Sequence, residues 1–283
     1  MEVHRPPTLA EALDIRAEYP GATPICGGTD LMVELNFDRS RPEVLIDLTT
    51  CAELEQWSRS DGMIRIGAAV TYTTLIGDLA TLLPGLAIAS RTVGSPQIRN
   101  RGTLGGNLGT ASPAGDGVPP LVAVGAEVEL ASKAGTRLMP VTEFITGVKE
   151  HALRDDELIA AVHVPVAGGP QQFSKIGTRN AMVIAVATFA LAFDLEARTV
   201  GAALGSSSPR PLRASDAEAF VEAELDWERR ARLPEGVAEH FGELVAAVAT
   251  PIDDARGTAA YRRHSLKVMA MRTLNWAWEE ARS

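Results

Sequence analysis

The stretch Gln97-Ile-Arg-Asn-Arg-Gly-Thr-Leu-Gly-Gly-Asn-Leu-Gly-Thr-Ala-Ser-Pro-Ala-Gly-Asp116 combines glycines, small hydroxyl residues and a helix-start signal. Gly102, Gly105, Gly106 and Gly109 remove Cβ atoms from one short segment, which lets backbone N–H groups approach a ligand closely. Ser112 reads as an N-cap and Pro113 as the first residue of the helix that follows, near Pro113–Val124. Such a helix would present unpaired N–H groups and the positive end of its dipole at the edge of the glycine segment. An anion or an electron-rich ring suits that position. A Gly-rich surface loop ahead of an ordinary helix is the plainer alternative, but a turn does not require four glycines together with Thr103, Asn107, Thr110 and Ser112.

A second glycine element stands upstream, in Ala22-Thr-Pro-Ile-Cys-Gly-Gly-Thr-Asp-Leu-Met-Val-Glu-Leu35. A short apolar strand with Ile25 and Cys26 runs into Gly27-Gly28, and Thr29 is placed to cap a helix beginning at Asp30, Leu31 and Met32. Neither element matches G-x-G-x-x-G or G-x-x-x-x-G-K-[ST], so a Rossmann NAD site and a nucleoside-triphosphatase have no support.

In this order the two elements resemble the FAD-binding medium subunit of molybdenum hydroxylases, the xanthine dehydrogenase and carbon monoxide dehydrogenase flavoprotein family. Gly67-Ala-Ala-Val-Thr71 is similar to the family's turn between the loops. Thr103-Leu-Gly-Gly-Asn107, followed by Thr110-Ala-Ser-Pro113 and Asp116, resembles its flavin-loop signature. Phe173-Ser-Lys175 with Arg179 resembles a later lysine strand, and Asp254-Ala-Arg-Gly-Thr-Ala-Ala-Tyr-Arg-Arg263 a C-terminal signature. The matches span nearly the whole chain.

The resemblance implies an α+β architecture in which two small α/β domains enclose FAD, about residues 1–55 and 56–176, followed by a C-terminal domain of antiparallel sheet and helices, residues 177–283. It also implies residue roles. Ile25, Cys26, Gly27, Gly28, Thr29, Asp30 and Leu31 would wrap the FAD pyrophosphate. Thr103, Gly105, Gly106 and Asn107 would contact the flavin end and its phosphates, with Thr110, Ala111 and Ser112 beside the ring. Asp116 would bond cofactor hydroxyls or complement a helix dipole, Val93 and Ile159 align with apolar positions near the cofactor or are plain core, and Lys175 is a cation beside the flavin or a solvated strand lysine. Arg179 and the Tyr261-Arg262-Arg263 run read as structural or subunit-contact residues. Arg179-Asn-Ala-Met182 contains no aromatic residue to shield the ring. The partners implied are a large molybdopterin subunit and a small subunit with two [2Fe–2S] clusters, and the external acceptor could be NAD, quinone or oxygen.

Composition fits an ordinary globular chain: 283 residues, 46% hydrophobic and 22% charged. The formal net charge of −9, with no Lys/Arg stripe, argues against nucleic-acid binding. No apolar run approaches the length of a membrane span, the longest being Ala181 to Leu195, and a cytoplasmic protein is expected. Two cysteines, Cys26 and Cys51, cannot supply the four thiolates of an iron–sulfur cluster, and the five scattered histidines form no metal motif. No G-x-S-x-G elbow is present. A bound cofactor must therefore carry any redox chemistry. Two alternatives stay open here: a self-contained flavin reductase related to the enolpyruvyl-glucosamine reductase fold, for which no proton-donating acid can be named, and a non-catalytic module, which would require disrupted glycine loops.

The remaining expectations are local. Thr8 should cap a helix over Leu9–Glu18, with strands at Val44–Leu48, Met63–Ile66, Glu127–Ala131 and Leu158–Val164, and a helix after Thr71. Met182–Phe193 and Thr199–Leu204 should pair as strands. Helices are expected over Ser215–Arg230, Glu235–Ala247 and Thr258–Ala281, the last with Leu266, Met269, Ala270, Thr273, Leu274 and Ala277 on one apolar face.

Overall fold

The structure is a computed structural model that describes residues 1–283. It is α+β and contains three packed units. In the first, strands Glu2–His4 and Thr23–Ile25 flank Val44–Asp47 in a parallel sheet. Parallel strands need crossovers: the helix Leu9–Glu18 carries the chain from one edge strand to the other, and the helix Leu31–Asn36 lies in the connection from Thr23–Ile25 to the central Val44–Asp47. Thr8 caps Leu9–Glu18 in extended conformation, its Oγ1 accepting from Glu11 N at 3.2 Å. Ala12 and Leu13 of that helix pack with Ile46, Leu48 and Leu54, and this core continues into Ala69, Leu158 and Ala160 of the second unit.

The second unit is a five-stranded antiparallel sheet in the order Trp57–Ser60, Met63–Gly67, Leu158–Pro165, Glu127–Ser132, Gly135–Pro140. Helices Tyr72–Gly77, Pro84–Thr92, Leu104–Thr110 and Val118–Ala123 share its core with Ile64, Ile66, Val128, Leu130, Val162 and Val164. The two outer strands escape sequence reading for a physical reason. Every residue of Trp57–Ser60 is exposed and Gly135–Pro140 is mostly so, and edge strands wet on both faces carry no alternation.

The third unit pairs Gln171–Gly177, Ala185–Asp194, Thr199–Gly205 and Leu212–Arg213 in an antiparallel sheet. The strand that carries Phe173 and Lys175 is thus its edge. Ala187, Phe189, Leu191 and Phe193 face helices Ser215–Glu224, Val237–Ala247 and Ala259–Arg282, where Phe241 and Trp278 complete the core. The alternate residues Ala190 and Ala192, with Ala203, pack into the core of the second unit. A strand covered on both faces reads as an unbroken apolar run. The near face is small because helix Val118–Ala123 lies against it: a Cβ on Gly201 would fall on the Ala123 carbonyl.

Several local expectations change. The glycine-rich stretch is itself a helix, Leu104–Thr110, and its N-cap is Thr103, whose Oγ1 accepts from Gly106 N at 3.0 Å. Ser112 caps no helix; its Oγ accepts from Ala114 N at 3.3 Å inside a turn, and the next helix starts only at Val118. Thr29 does not cap either. Asp30 holds that position without a side-chain cap bond, its carboxylate accepting instead from Thr110 Oγ1 at 3.4 Å. The strand expected from Met182 begins at Ala185. The helix expected to reach Arg230 stops at Glu224, and its neighbour starts at Val237, after Gly236 in left-handed conformation with φ 84°. The last helix runs Ala259–Arg282 with Thr258 as its cap, and all six apolar-face residues are buried.

Candidate functional site

Three turns converge where the first two units meet. Gly102 accepts from Tyr72 N at 3.1 Å, Leu104 N donates to Val70 O at 3.1 Å and Gly105 N donates to Ala68 O at 2.9 Å. Gly105 sits so close that an added Cβ would lie 2.8 Å from Ala68 Cα. From the first unit, Gly27 presses on the same knot: a Cβ there would overlap the Arg101 carbonyl and lie 3.1 Å from Gly102 Cα. Gly27 and Gly105 therefore serve close packing of backbone on backbone. Gly28 has the other use of glycine, since its φ of +72° turns the chain back toward the cleft.

A cleft of about 1030 Å³ opens beside this knot. It is lined by Ile25, Cys26, Gly27, Gly28, Thr29, Asp30 and Leu31 from the first unit and by Thr103, Gly105, Gly106, Asn107, Thr110, Ser112, Asp116, Val93 and Ile159 from the second. Lys175 reaches it from the third. Ala111 alone among the candidates does not line it; it is fully buried as the left-handed C-cap of the glycine helix, and its carbonyl accepts from Lys149 N.

The two glycine segments offer different things to a ligand. The backbone N–H groups of Gly27 through Leu31 donate to no acceptor within the chain. Those at the start of the glycine helix are already spent on Val70 O, Ala68 O and Thr103 Oγ1. Gly106 is exposed to the cleft, and a Cβ on it would meet only Thr103 Oγ1, at 2.9 Å. Two buried oxygens, Asn107 Oδ1 and Asp116 Oδ1, have no hydrogen-bond partner. A buried acceptor left unpaired costs about 1–3 kcal/mol, so both are placed to receive donors from a ligand.

The other oxygen of Asp116, Oδ2, pairs with Lys175 Nζ and accepts from Thr92 Oγ1 at 3.1 Å. Lys175 Nζ also donates to Thr92 O at 3.2 Å. The side chains are 7% exposed for Asp116 and 9% for Lys175, which rules out a solvated strand lysine. Burial pushes the Asp116 carboxyl above its ordinary range, and the Lys175 charge works against that rise. The fully buried Tyr72 phenol nearby is pushed far up, by burial first and then by the Asp116 charge.

Cys26 is a half-buried thiol whose pKa burial raises, and Cys51 is raised to about 11; both are free. Each is an inert packing residue. No group of three or more His, Cys, Asp or Glu side chains is placed to hold a metal ion, and no helix is long and apolar enough to cross a membrane.

Sequence reading missed part of the lining. Tyr72, Lys149, His151, Leu153 and the run Met182-Val-Ile184 also face the cleft. Lys149 pairs with Glu34 and lies 3.9 Å from Asp30, tying the hairpin around it to the first unit. His151 stacks on Phe144 with centroids 5.7 Å apart, and burial lowers its pKa. Met182 and Ile184 are 56% and 54% exposed, an apolar edge where the sequence offered no aromatic. These residues come from separate segments, and only the fold joins them.

A ligand that fits must carry anionic groups for the free N–H row, hydroxyl or N–H donors for Asn107 and Asp116, and an apolar ring for Val93, Ile159 and Ile184. FAD has all three. The family model for the FAD-binding domain in molybdopterin dehydrogenase matches residues 1–167, and that for the CO dehydrogenase flavoprotein C-terminal domain matches residues 172–277. The chain belongs to this family. It is similar to the xanthine dehydrogenase FAD-binding subunit of Escherichia coli, at 31% identity covering 97% of this chain and 94% of the relative. The carbon monoxide dehydrogenase medium chain of Afipia carboxidovorans is 29% identical over 100% of this chain and 98% of its own length. Among solved structures, quinoline 2-oxidoreductase from Pseudomonas putida 86 superposes with a TM-score of 0.91 at 26% identity, covering 100% and 98% of the two chains. The resemblance, the fold class and an oxidoreductase subunit holding FAD are thus established for this member of the molybdopterin dehydrogenase flavoprotein family.

Proposed function

We propose that this chain receives electrons from a small subunit with two [2Fe–2S] clusters and hands them, through FAD, to an external acceptor such as NAD, quinone or oxygen. A large molybdopterin subunit oxidises the organic substrate. The observation that carries this reading is the run of unpaired N–H groups from Gly27 to Leu31 in a cleft also lined by Asn107 and Asp116, each with a buried oxygen that has no partner.

When bound, FAD supplies the two-electron and one-electron chemistry. The chain's own residues bind and orient it. The N–H groups of Gly27–Leu31, with the Thr29 hydroxyl, hold the pyrophosphate. Asn107 Oδ1 and Asp116 Oδ1 accept from the flavin-end hydroxyls. Thr103 holds the glycine helix in register through its cap, and Thr110 and Ser112 lie at the ring end. Lys175 pairs with Asp116, works against the rise that burial imposes on its carboxyl, and reduces the negative field that a bare carboxylate would impose on a reduced ring. Val93 and Ile159 would exclude water from the ring, and the apolar run Met182–Ile184 lines the same cleft, where the sequence offers no aromatic. The self-contained reductase is the weaker reading, because the relatives matched over nearly the whole chain are FAD subunits and medium chains of larger enzymes. The free thiols of Cys26 and Cys51 suit the reducing cytoplasm, where we place the complex.

Co-expression with the neighbouring large and small subunits is expected to give one complex containing molybdenum, iron and flavin in fixed proportion, read by metal analysis and visible absorbance. A chain that stays monomeric beside them, or that oxidises an organic substrate by itself, contradicts the proposal.

A further inference from the structure

Arg262 is the buried member of the Tyr261-Arg262-Arg263 run: it is 4% exposed, while both neighbours lie at the surface. A guanidinium so deep is not a subunit contact. Its Nη2 donates to Asp254 Oδ1 at 2.6 Å, and its Nη1 donates to the carbonyls of Val186 at 2.6 Å and Ser206 at 3.0 Å. These carbonyls belong to strand ends that have stopped pairing. The ladder between Ala185–Asp194 and Thr199–Gly205 ends with Thr188 opposite Gly205. On the other side of Ala185–Asp194 the register passes from Ala187 opposite Ile176 to Ala185 opposite Gly177, which leaves Val186 unpaired. Arg262 bridges this fork, and a bulge of this kind re-aims the chain beyond it. Both segments end at the cleft. Val186 follows Met182-Val-Ile184, which lines it. Ser206, left-handed at φ 56°, donates its N–H to Pro113 O at 2.8 Å, and Pro113 sits in the turn that carries Ser112 and Asp116 to the same cleft. Asp254 braces the guanidinium. Its carboxylate also accepts from Arg256 N at 2.8 Å, and that bond first, then Arg262, holds its pKa down at about 2, so it stays ionised.

We propose that Arg262, braced by Asp254, is a positioning residue for the flavin: by bridging the two strand ends it sets the Met182–Ile184 wall and the Ser112–Asp116 turn, and through them the redox potential of the bound FAD. The inference rests on the reading of the cleft as an FAD site. A buried guanidinium seldom adds stability over an apolar side chain of similar volume, so what this one contributes is geometry. Its planar fork reaches a carboxylate and two carbonyls at once, which neither a lysine nor an apolar residue can do. Without the bridge both segments relax and water reaches the ring. The Asp116–Lys175 pair keeps its own anchor on Thr92, so this entry of water is the change that dominates. Water favours the charged reduced flavin over the neutral oxidised one, and the midpoint potential rises.

The test is redox titration of the FAD-loaded full-length chain, with iodide quenching of flavin fluorescence as a measure of access to the ring. Arg262→Met is expected to raise the Kd for FAD by no more than about tenfold, because the N–H row of Gly27–Leu31 is untouched. Its midpoint potential should move upward and its flavin should be quenched more strongly than the parent's. Asp254→Asn, which leaves Arg262 in place without its ionic brace, should give the same two changes at smaller size, and it decides the matter if Arg262→Met does not fold. Arg262→Lys should recover part of the shift. Leu274→Ala, a cavity in the same helix and core, is the structural control: it should lower the unfolding midpoint and leave potential and quenching unchanged. Parent-like potential and quenching in Arg262→Met, or in Asp254→Asn where the first variant does not fold, overturns the inference while retained FAD leaves the cleft reading intact. An equal shift in Leu274→Ala would assign the effect to general loosening of the third unit, and also overturns it. Failure of the parent chain to take up FAD removes the underlying reading itself.

Discussion

Lys175→Met is expected to destabilise the FAD-free chain by about 3–5 kcal/mol at neutral pH, because it strips the partner from a buried carboxylate. Asp116 would keep only the Thr92 hydroxyl as a donor, with its second oxygen already unpaired. The pH dependence follows from the direction of its shift. Burial raises the folded-state pKa of Asp116, so the protonated acid is the form that favours folding and the penalty grows as pH rises through that value. The deficit of the variant should therefore be largest at neutral pH and shrink toward pH ~4, near the ordinary aspartate value. Urea unfolding across that range measures it. Asp116→Asn combined with Lys175→Met should recover most of the loss, since no uncompensated charge remains. A single variant as stable as the parent at pH 7 would mean the pair has no electrostatic role, and the cleft would lose its charged anchor.

Gly27→Ala is the second large effect. Its methyl group would overlap the Arg101 carbonyl, and backbone on both sides must move to admit it. Overpacking of this kind costs about 1–3 kcal/mol, and here the displaced atoms are the free N–H row itself. FAD affinity should fall by about 100-fold, as two or more charge-assisted hydrogen bonds are lost. Gly106→Val provides the contrast: its side chain enters the open cleft and meets only Thr103 Oγ1, so binding should vanish with a smaller change in unfolding midpoint. Fluorescence quenching of FAD on titration reads the affinities. Parent-like binding by both variants would place the cofactor elsewhere.

Much of this arrangement is legible in the sequence because the site is built mainly from backbone. Gly27 and Gly105 mark places where backbone packs on backbone and Gly28 a left-handed turn, and glycine announces such places directly. The local start signals were less reliable. Ser112-Pro113 and Thr29 both have the chemistry of an N-cap, but Thr103 is equally suited, and the partners on Ala68 and Val70 decide in its favour. Glycine-rich Leu104–Thr110 has poor helix propensity, so it is helical through tertiary packing alone: Leu104 and Leu108 are fully buried in the second core. Lys175 could not be assigned from the sequence, since nothing in a strand pattern tells that a lysine 59 residues from Asp116 will meet it in a buried pair. The same holds for Lys149, His151 and Met182–Ile184, which separate segments of the chain bring to the cleft.

The central claim is that this cleft holds one FAD through backbone donors and without a covalent bond, the histidine in its lining, His151, being stacked on Phe144. The most direct measurement is titration of the flavin-free full-length chain with FAD, followed by acid precipitation of the complex. The account predicts saturation at about one FAD per chain and complete release of the yellow colour into the supernatant as intact FAD. A chain that takes up no FAD, or whose colour stays with the precipitated protein, would contradict it.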